Sequence, residues 1–364
     1  MRTTPEWHTD AFPELRDGPP WVMAEMIEAQ PALLEEIATA ADTSSLALLA
    51  KTPGRLDVVG CGTSEHAALG IAEILTDAGR PATARQAFEA RLDPGDPAGV
   101  IGVTHEGGTQ ATIDAMRAAR AAGAAVGLVT AVADSEATRH ADAAIVTPLV
   151  DRSWCHTVGY TSPLAAGVGL AANVTGAPVP AGAVQRLAQA GLAAREQATA
   201  AAERLAALDR LIVVASGADR TAARELTLKV EEACHLPSAM RDLETFLHGH
   251  IPATGPDTGL VLIMTDRRQA AARAERAGAL LRASAKVGIA CAAITTASLP
   301  DDLVPAGLIA APEAPELSAP AAALLGTALP LQWLAYELAI ARGTNPDLIR
   351  REQDDYRAAS EEHG

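Results

Sequence analysis

Apolar residues cluster at positions 22, 23, 26 and 27 and again at 33, 34 and 37, a helical spacing that predicts two short amphipathic helices broken near Pro31. From Arg55 onward the texture changes. A continuous apolar run over 56–60 leads into a loop of glycine and hydroxyl residues, 61–64, and then into a helical run through 67–75, which predicts strand, tight loop and helix. The same succession returns as a strand over 100–104, a loop over 105–109, a helix over 111–122 and a strand over 125–130. The second half repeats the first, with a strand over 211–217, a helix from about Thr221, a strand over 260–265 with its helix, and a strand opening at Val287. Two copies offset by about 155 residues predict two α/β units. Strands joined through helices run parallel, and ligands then belong at their C-terminal ends. The resulting organisation is a helical leader over 1–50, a first α/β unit over 51–185, a second over 186–342 and a tail over 343–364, with alanine-rich residues 181–207 predicted as one long connecting helix.

Composition narrows the class. Of 364 residues, 49% are hydrophobic and only 3% aromatic, as expected of a soluble globular chain with a core of Ala, Leu and Val. One stretch, 317–336, is uncharged and about long enough to cross a bilayer, but its Pro320, Pro330 and Gln332 predict a buried core helix instead. Lys plus Arg is 29 against 45 for Asp plus Glu, a net charge of −16 that repels phosphodiester backbones and anionic lipid. Neither nucleic acid nor membrane is an expected partner. Four widely separated cysteines without a CxxC spacing, and no charged leader followed by an apolar run, predict a reducing, cytoplasmic setting.

Three loops follow predicted strands and open helices, where backbone N–H groups and the helix dipole can hold an anion: 60–64, 104–109 and 215–219. A plain strand-to-helix turn capped by Ser64 explains the first equally well. Glu225, Lys229 and Glu232, spaced four and then three, share one helical face. A solvated ion-pair stripe would be the ordinary explanation, yet the chain has only three lysines, Lys51, Lys229 and Lys286, so a lysine here suggests a role that arginine cannot fill. Residues 241–250 hold two histidines, two carboxylates and an arginine, but His248 and His250 without a third nearby ligand make a poor zinc pattern. No metal or cofactor is expected.

Taken in order, Gly60-Cys-Gly-Thr-Ser64, the THEGGT loop 104–109, Thr157-Val-Gly-Tyr-Thr-Ser-Pro-Leu164, Glu225 with Lys229 and Glu232, a helix expected to end at His248-Gly249, and Leu329-Pro-Leu-Gln-Trp-Leu-Ala-Tyr336 followed by Arg342-Gly-Thr344 make a pattern. Over about residues 20–347 it resembles the double SIS (sugar isomerase) domain family, in particular the isomerase half of glucosamine-6-phosphate synthase. The resemblance implies two flavodoxin-like three-layer αβα domains, each with a mainly parallel five-stranded sheet, assembled as a homodimer. It implies that Glu232 moves a proton between C1 and C2 of a sugar, that Lys229 is its partner one turn earlier, and that His248, lent by the neighbouring subunit, opens the sugar ring. Ser64 and Thr109 match hydroxyls that hold a sugar phosphate, with Thr104 in place of a serine. The remaining predicted ligand contacts are Cys61, Gly62, Thr63, His105, Glu106, Gly107, His156, Thr157 and Glu244.

The departures shape the expectation. Arg2 follows Met1 where a glutaminase domain would begin with its cysteine, and the leader is too short to hold that domain, so free ammonia, water or no nitrogen partner is expected. Glu106 stands where the family's phosphate loop has a serine, and a carboxylate facing a phosphate is repelled at low dielectric. No lysine occurs in 349–364, so a Schiff base from the tail is excluded. The expected activity is isomerisation, amination or deamination of a sugar or sugar phosphate. The alternative is a sugar-phosphate sensor that keeps the fold without turnover.

Overall fold

The computed structural model describes residues 5, 8, 13–42, 44–296, 299 and 303–362; Met1 and Arg2 lie outside them. The first sheet contains β1 (Leu56–Gly60), β2 (Ala82–Gln86), β3 (Gly99–Val103), β4 (Ala125–Thr130) and β5 (Ala143–Val146) in the order β2-β1-β3-β4-β5, all parallel. The second contains β6 (Arg210–Ala215), β7 (Ser238–Asp242), β8 (Thr258–Met264), β9 (Ala290–Thr295) and β10 (Gly307–Ala310). Its order, β7-β6-β8-β9-β10, is the same permutation, so the repeat in the sequence is a repeat of topology.

Both faces of each sheet are covered, which is why the inner strands read as unbroken apolar runs rather than alternations. Leu56 and Val58 of β1 enter one core while Val59 enters another, and Leu211 and Val213 of β6 face away from Ile212 and Val214. The first members of each pair belong to a single large core between the two sheets. That shared layer includes the helices Gln30–Asp42, Thr63–Asp77, Val158–Thr175, Asp219–Cys234 and Ala319–Arg342. The last is 24 residues long and apolar enough to cross a membrane, yet 94% of its most apolar window is buried inside the protein, so it is the core helix the prolines and glutamine suggested.

Two sequence expectations need correction. Residues 181–207 form two helices, Ala183–Leu192 and Arg195–Leu205, rather than one. Both pack on the 319–342 helix, but the first also meets the 30–42 helix and the second β10, and the chain turns at Ala193 and Ala194 to reach both. The helix expected to end at His248 is instead the edge strand β7, a single turn Leu243–Thr245 and a wide π-type turn Phe246–His250.

Candidate active site

The loop after β1 turns on glycines that nothing else could replace. A Cβ at Gly60 would sit 2.5 Å from the carbonyl oxygen of Ser64, and Gly62 holds a φ of 56° at the N-cap of the helix Thr63–Asp77. The loop after β3 closes as tightly: Gly107 has a φ of 73°, and a Cβ there would strike the side chain of Ser135. Thr109 then holds the N-cap position of the helix Gln110–Ala121 without a capping bond from its own side chain. Thr63, Ser64 and Thr109 thus bring two helix N-termini to the wall of one cavity of about 330 Å³ at the C-terminal edge of the first sheet.

The opposite wall comes from the other half of the chain. Leu228 and Glu232 reach the cavity from the helix Asp219–Cys234, which follows β6 of the second sheet and packs on the 63–77 helix. Behind Glu232 lies a buried charge cluster. Lys229 has no exposed side-chain surface; its ammonium donates to Glu232 Oε2 at 2.5 Å and lies 3.6 Å from Glu225 Oε1. Glu225, equally buried, also bonds His66 Nδ1 at 2.7 Å and accepts from Thr63 Oγ1 at 3.3 Å. The three residues do share one helical face, but it is a buried one, so the solvated-stripe explanation is wrong.

Two carboxylates share one ammonium here, and their surroundings separate them. Burial pushes both up, but for Glu225 the charge of Lys229 and the bonds from His66 and Thr63 outweigh it and hold the carboxyl below its usual range. For Glu232, burial and the repulsion of Glu225 outweigh the charge and bond of Lys229 and a bond from Cys155, and its carboxyl is raised. Burial alone would lower the Lys229 ammonium, but Glu232 and Glu225 hold it above the ordinary lysine value. The group facing the cavity is therefore a carboxylate tuned upward, next to a cation that stays charged.

The loop after β5 supplies His156 and Trp154. Asp151, at the head of that loop, donates its backbone N–H to His105 Nε2 at 2.7 Å, which leaves Nδ1 to carry the proton of a neutral ring. Burial lowers both histidines, His156 to about 4, so both rings are neutral near pH 7. Burial also raises the Cys61 thiol, which removes it as a nucleophile near neutrality.

Of the predicted residues, Cys61, Gly62, Thr63, Ser64, His105, Glu106, Thr109, His156 and Glu232 line the cavity. Lys229 stands directly behind it. Thr104 is buried beneath the loop and donates to Thr109 Oγ1, Gly107 forms the tight turn, and Thr157 gives its N–H to Asp151 at 2.6 Å. These three build the site without lining it. Glu244 and His248 lie beyond the end of β7, largely exposed, 2.6 Å apart and joined by Arg276. They do not line this cavity in their own chain. Trp154, Leu228, Ile349 and Arg351 line it unanticipated. Among the described residues no cluster of His, Cys, Asp and Glu is fit to hold a metal.

The corresponding corner of the second sheet is filled from within. After β6, Gly217 (φ 65°) and the N–H of Ala218 open the next helix as the first loop does, but Asp266 accepts from that N–H at 3.0 Å and pairs with Arg268 and Arg273. A side-chain carboxylate occupies the anion position of the third loop singled out in the sequence.

Comparison with known proteins agrees with the fold. The SIS domain family matches residues 48–171. Glutamine–fructose-6-phosphate aminotransferase (isomerizing) of Methanocaldococcus jannaschii is 34% identical over 153 residues, which cover 40% of this chain and 14% of that protein. Two solved structures share the fold over nearly their whole length. The C-terminal domain of glucosamine-fructose-6-phosphate aminotransferase from Francisella tularensis superposes with a TM-score of 0.78 at 18% identity, covering 92% of this chain and 99% of that one. Tagatose-6-phosphate ketose/aldose isomerase from Escherichia coli does so with a TM-score of 0.76 at 19% identity, covering 93% and 98%. Residues 48–171 are therefore a SIS domain, and a stretch of 153 residues of the chain is homologous to part of glutamine–fructose-6-phosphate aminotransferase.

Proposed function

We propose that this chain is a SIS-type enzyme that moves a proton between adjacent carbons of a sugar or sugar phosphate, in an isomerisation or in amination or deamination with free ammonia or water. The observation that carries the reading is Glu232 on the cavity wall, backed by the buried Lys229 ammonium at 2.5 Å. A ketose–aldose interconversion needs one base that takes a proton from one carbon and returns it to the next, and a carboxylate raised toward neutrality is better matched to that task than an ordinary one. Glu232 is that base in this reading, and Lys229 keeps it oriented and favours its ionised form between the two transfers. The two helix N-termini at Thr63 and Thr109 suit the substrate's anionic end. His248 enters only through a second copy of the chain, since its own position is exposed and outside the cavity. Pocket and dimer together would make the ring-opening step a shared one.

Solvent deuterium wash-in, at C1 of fructose 6-phosphate and tagatose 6-phosphate and at C2 of glucosamine 6-phosphate, with and without ammonia, tests the reading. Glu232→Gln is expected to lower exchange by about 10² to 10⁴ while leaving binding nearly unchanged. Exchange at the wild-type rate in that variant would place the base elsewhere. A second reading is favoured by Glu106, an exposed carboxylate on the lip of the anion loop: a sensor that binds sugar phosphates without turning them over. Binding of the panel without any wash-in by wild type would select it.

A further inference from the structure

Among the described residues, the one arginine that lines the cavity reaches it from the tail, beyond the last core helix. Arg351 lines the wall with its guanidinium 4.4 Å from the ring centre of Trp154, itself a wall residue. Among the described residues it makes no ion pair and no side-chain hydrogen bond of its own, so five donors in a fixed fork are held at the cavity without a partner. The backbone that presents it is unusual. Ile349 and Arg350, immediately before it, both have positive φ, 43° and 64°, a conformation that a β-branched residue rarely adopts. Strain of this kind persists where the surroundings over-determine it and is concentrated at ligand clamps. Here the turn closes with the N–H of Arg351 on Leu348, and Arg350 is anchored outward by the Tyr356 hydroxyl at 2.7 Å. The neighbouring residue is thereby turned inward.

We infer that Arg351, clamped on Trp154 by this left-handed turn, is the cation that receives the substrate's oxyanion group, a phosphate or a carboxylate, in place of the loop contact that Glu106 denies. Stacking fixes the plane of the guanidinium and leaves its edge free for a bidentate contact. The field agrees with this placement, because the charges that act on Arg351 are those of Glu106 and Glu232, the two carboxylates on the cavity wall. An anion bound by Arg351 would therefore lie between the loop and the base, with Arg351 offsetting the repulsion from Glu106. The substrate class that follows is an anionic sugar derivative, and the inference rests on the sugar-binding reading above.

Calorimetry with fructose 6-phosphate, glucuronate, fructose and inorganic phosphate tests it on the full-length protein, comparing wild type with Arg351→Gln and Arg351→Lys. The expected result is a loss of at least about tenfold in affinity for the oxyanion probes in Arg351→Gln, partial recovery in Arg351→Lys, and unchanged fructose binding. The ratio between fructose 6-phosphate and glucuronate distinguishes phosphate from carboxylate. Equal affinity of wild type and Arg351→Gln for every oxyanion probe, or no oxyanion binding to wild type, overturns the inference. Failure of the enzymatic reading looks different: wild type would show no deuterium wash-in while oxyanion binding still depended on Arg351.

Discussion

Replacing Lys229 with methionine removes the one ammonium shared by two carboxylates while keeping most of the stem volume. The gross attraction lost is about 7 kcal/mol for Glu232 at 2.5 Å and about 5 kcal/mol for Glu225 at 3.6 Å at an effective dielectric of 20. Several kcal/mol of that sum are offset by no longer burying the ammonium, and breaking a buried ion pair typically costs about 3 to 5 kcal/mol. Glu232 keeps 23% of its side chain exposed and recovers some hydration, so the lower end, about 3 kcal/mol, is expected near pH 7.5. The cost must also depend on pH. Without Lys229 the Glu232 carboxyl rises further above the unfolded value near 4.5 and the buried Glu225 carboxyl, no longer held down by the ammonium, rises from below it, so between neutrality and that value the folded variant binds more protons than the unfolded chain. Its stability therefore increases as pH falls, and the deficit should shrink by about 1 to 2 kcal/mol between pH 7.5 and 5.5. Urea unfolding of wild type and Lys229→Met at both pH values measures this, with Glu232→Gln added to the variant expected to restore part of the loss. A deficit below about 1 kcal/mol, or one of equal size at both pH values, would refute the buried cluster as described.

Glu106→Ser should tighten fructose 6-phosphate by about three- to tenfold in calorimetry, the size expected for removing a like charge from a partly exposed site; equal affinities would show that Glu106 does not govern the anion. His156, lowered to about 4 from an ordinary 6.5, must lose a proton to fold below the latter value. Its folded pKa is depressed, so stability falls as pH drops from 6.5 towards 4, by about 2 to 3 kcal/mol, and His156→Gln should flatten that part of the curve. Light scattering at micromolar concentration should give twice the chain mass if His248 is supplied in trans, and a stable monomer would remove it from the site.

The six inner strands, β1, β3, β4, β6, β8 and β9, were legible in the sequence, whereas β2, β5, β7 and β10 were not. All four of the latter lie at sheet edges. Ala82–Gln86 and Ser238–Asp242 are only partly buried along their whole length and carry polar residues throughout, so they lack the apolar run that marks a strand covered on both faces. The site divides in the same way. The glycine loops and the Glu225, Lys229, Glu232 face are local patterns and could be read directly. Trp154 and Arg351 reach the cavity only because a loop and the tail are carried there by the fold, and neither stands in a spacing that announces it. The tail carries Arg350, Arg351 and Arg357 in no pattern that tells which of them the fold brings to the cavity. Thr104 and Thr157 show the converse, hydroxyls in the right segments whose bonds are taken up by the scaffold.

Glu225 has one further consequence, for motion. It rises from the second half of the chain and is gripped by Thr63 and His66 of the first, while its other side holds Lys229. Many two-lobed proteins admit ligands by swinging their lobes about a hinge. In this one such a rotation would pull a buried carboxylate from its partners and strip the ammonium under Glu232 of a counter-charge at the same moment. The two lobes are thus latched at the very point where a hinge would need to gape. Ligand exchange is left to smaller displacements at the rim of the cavity, away from this latch.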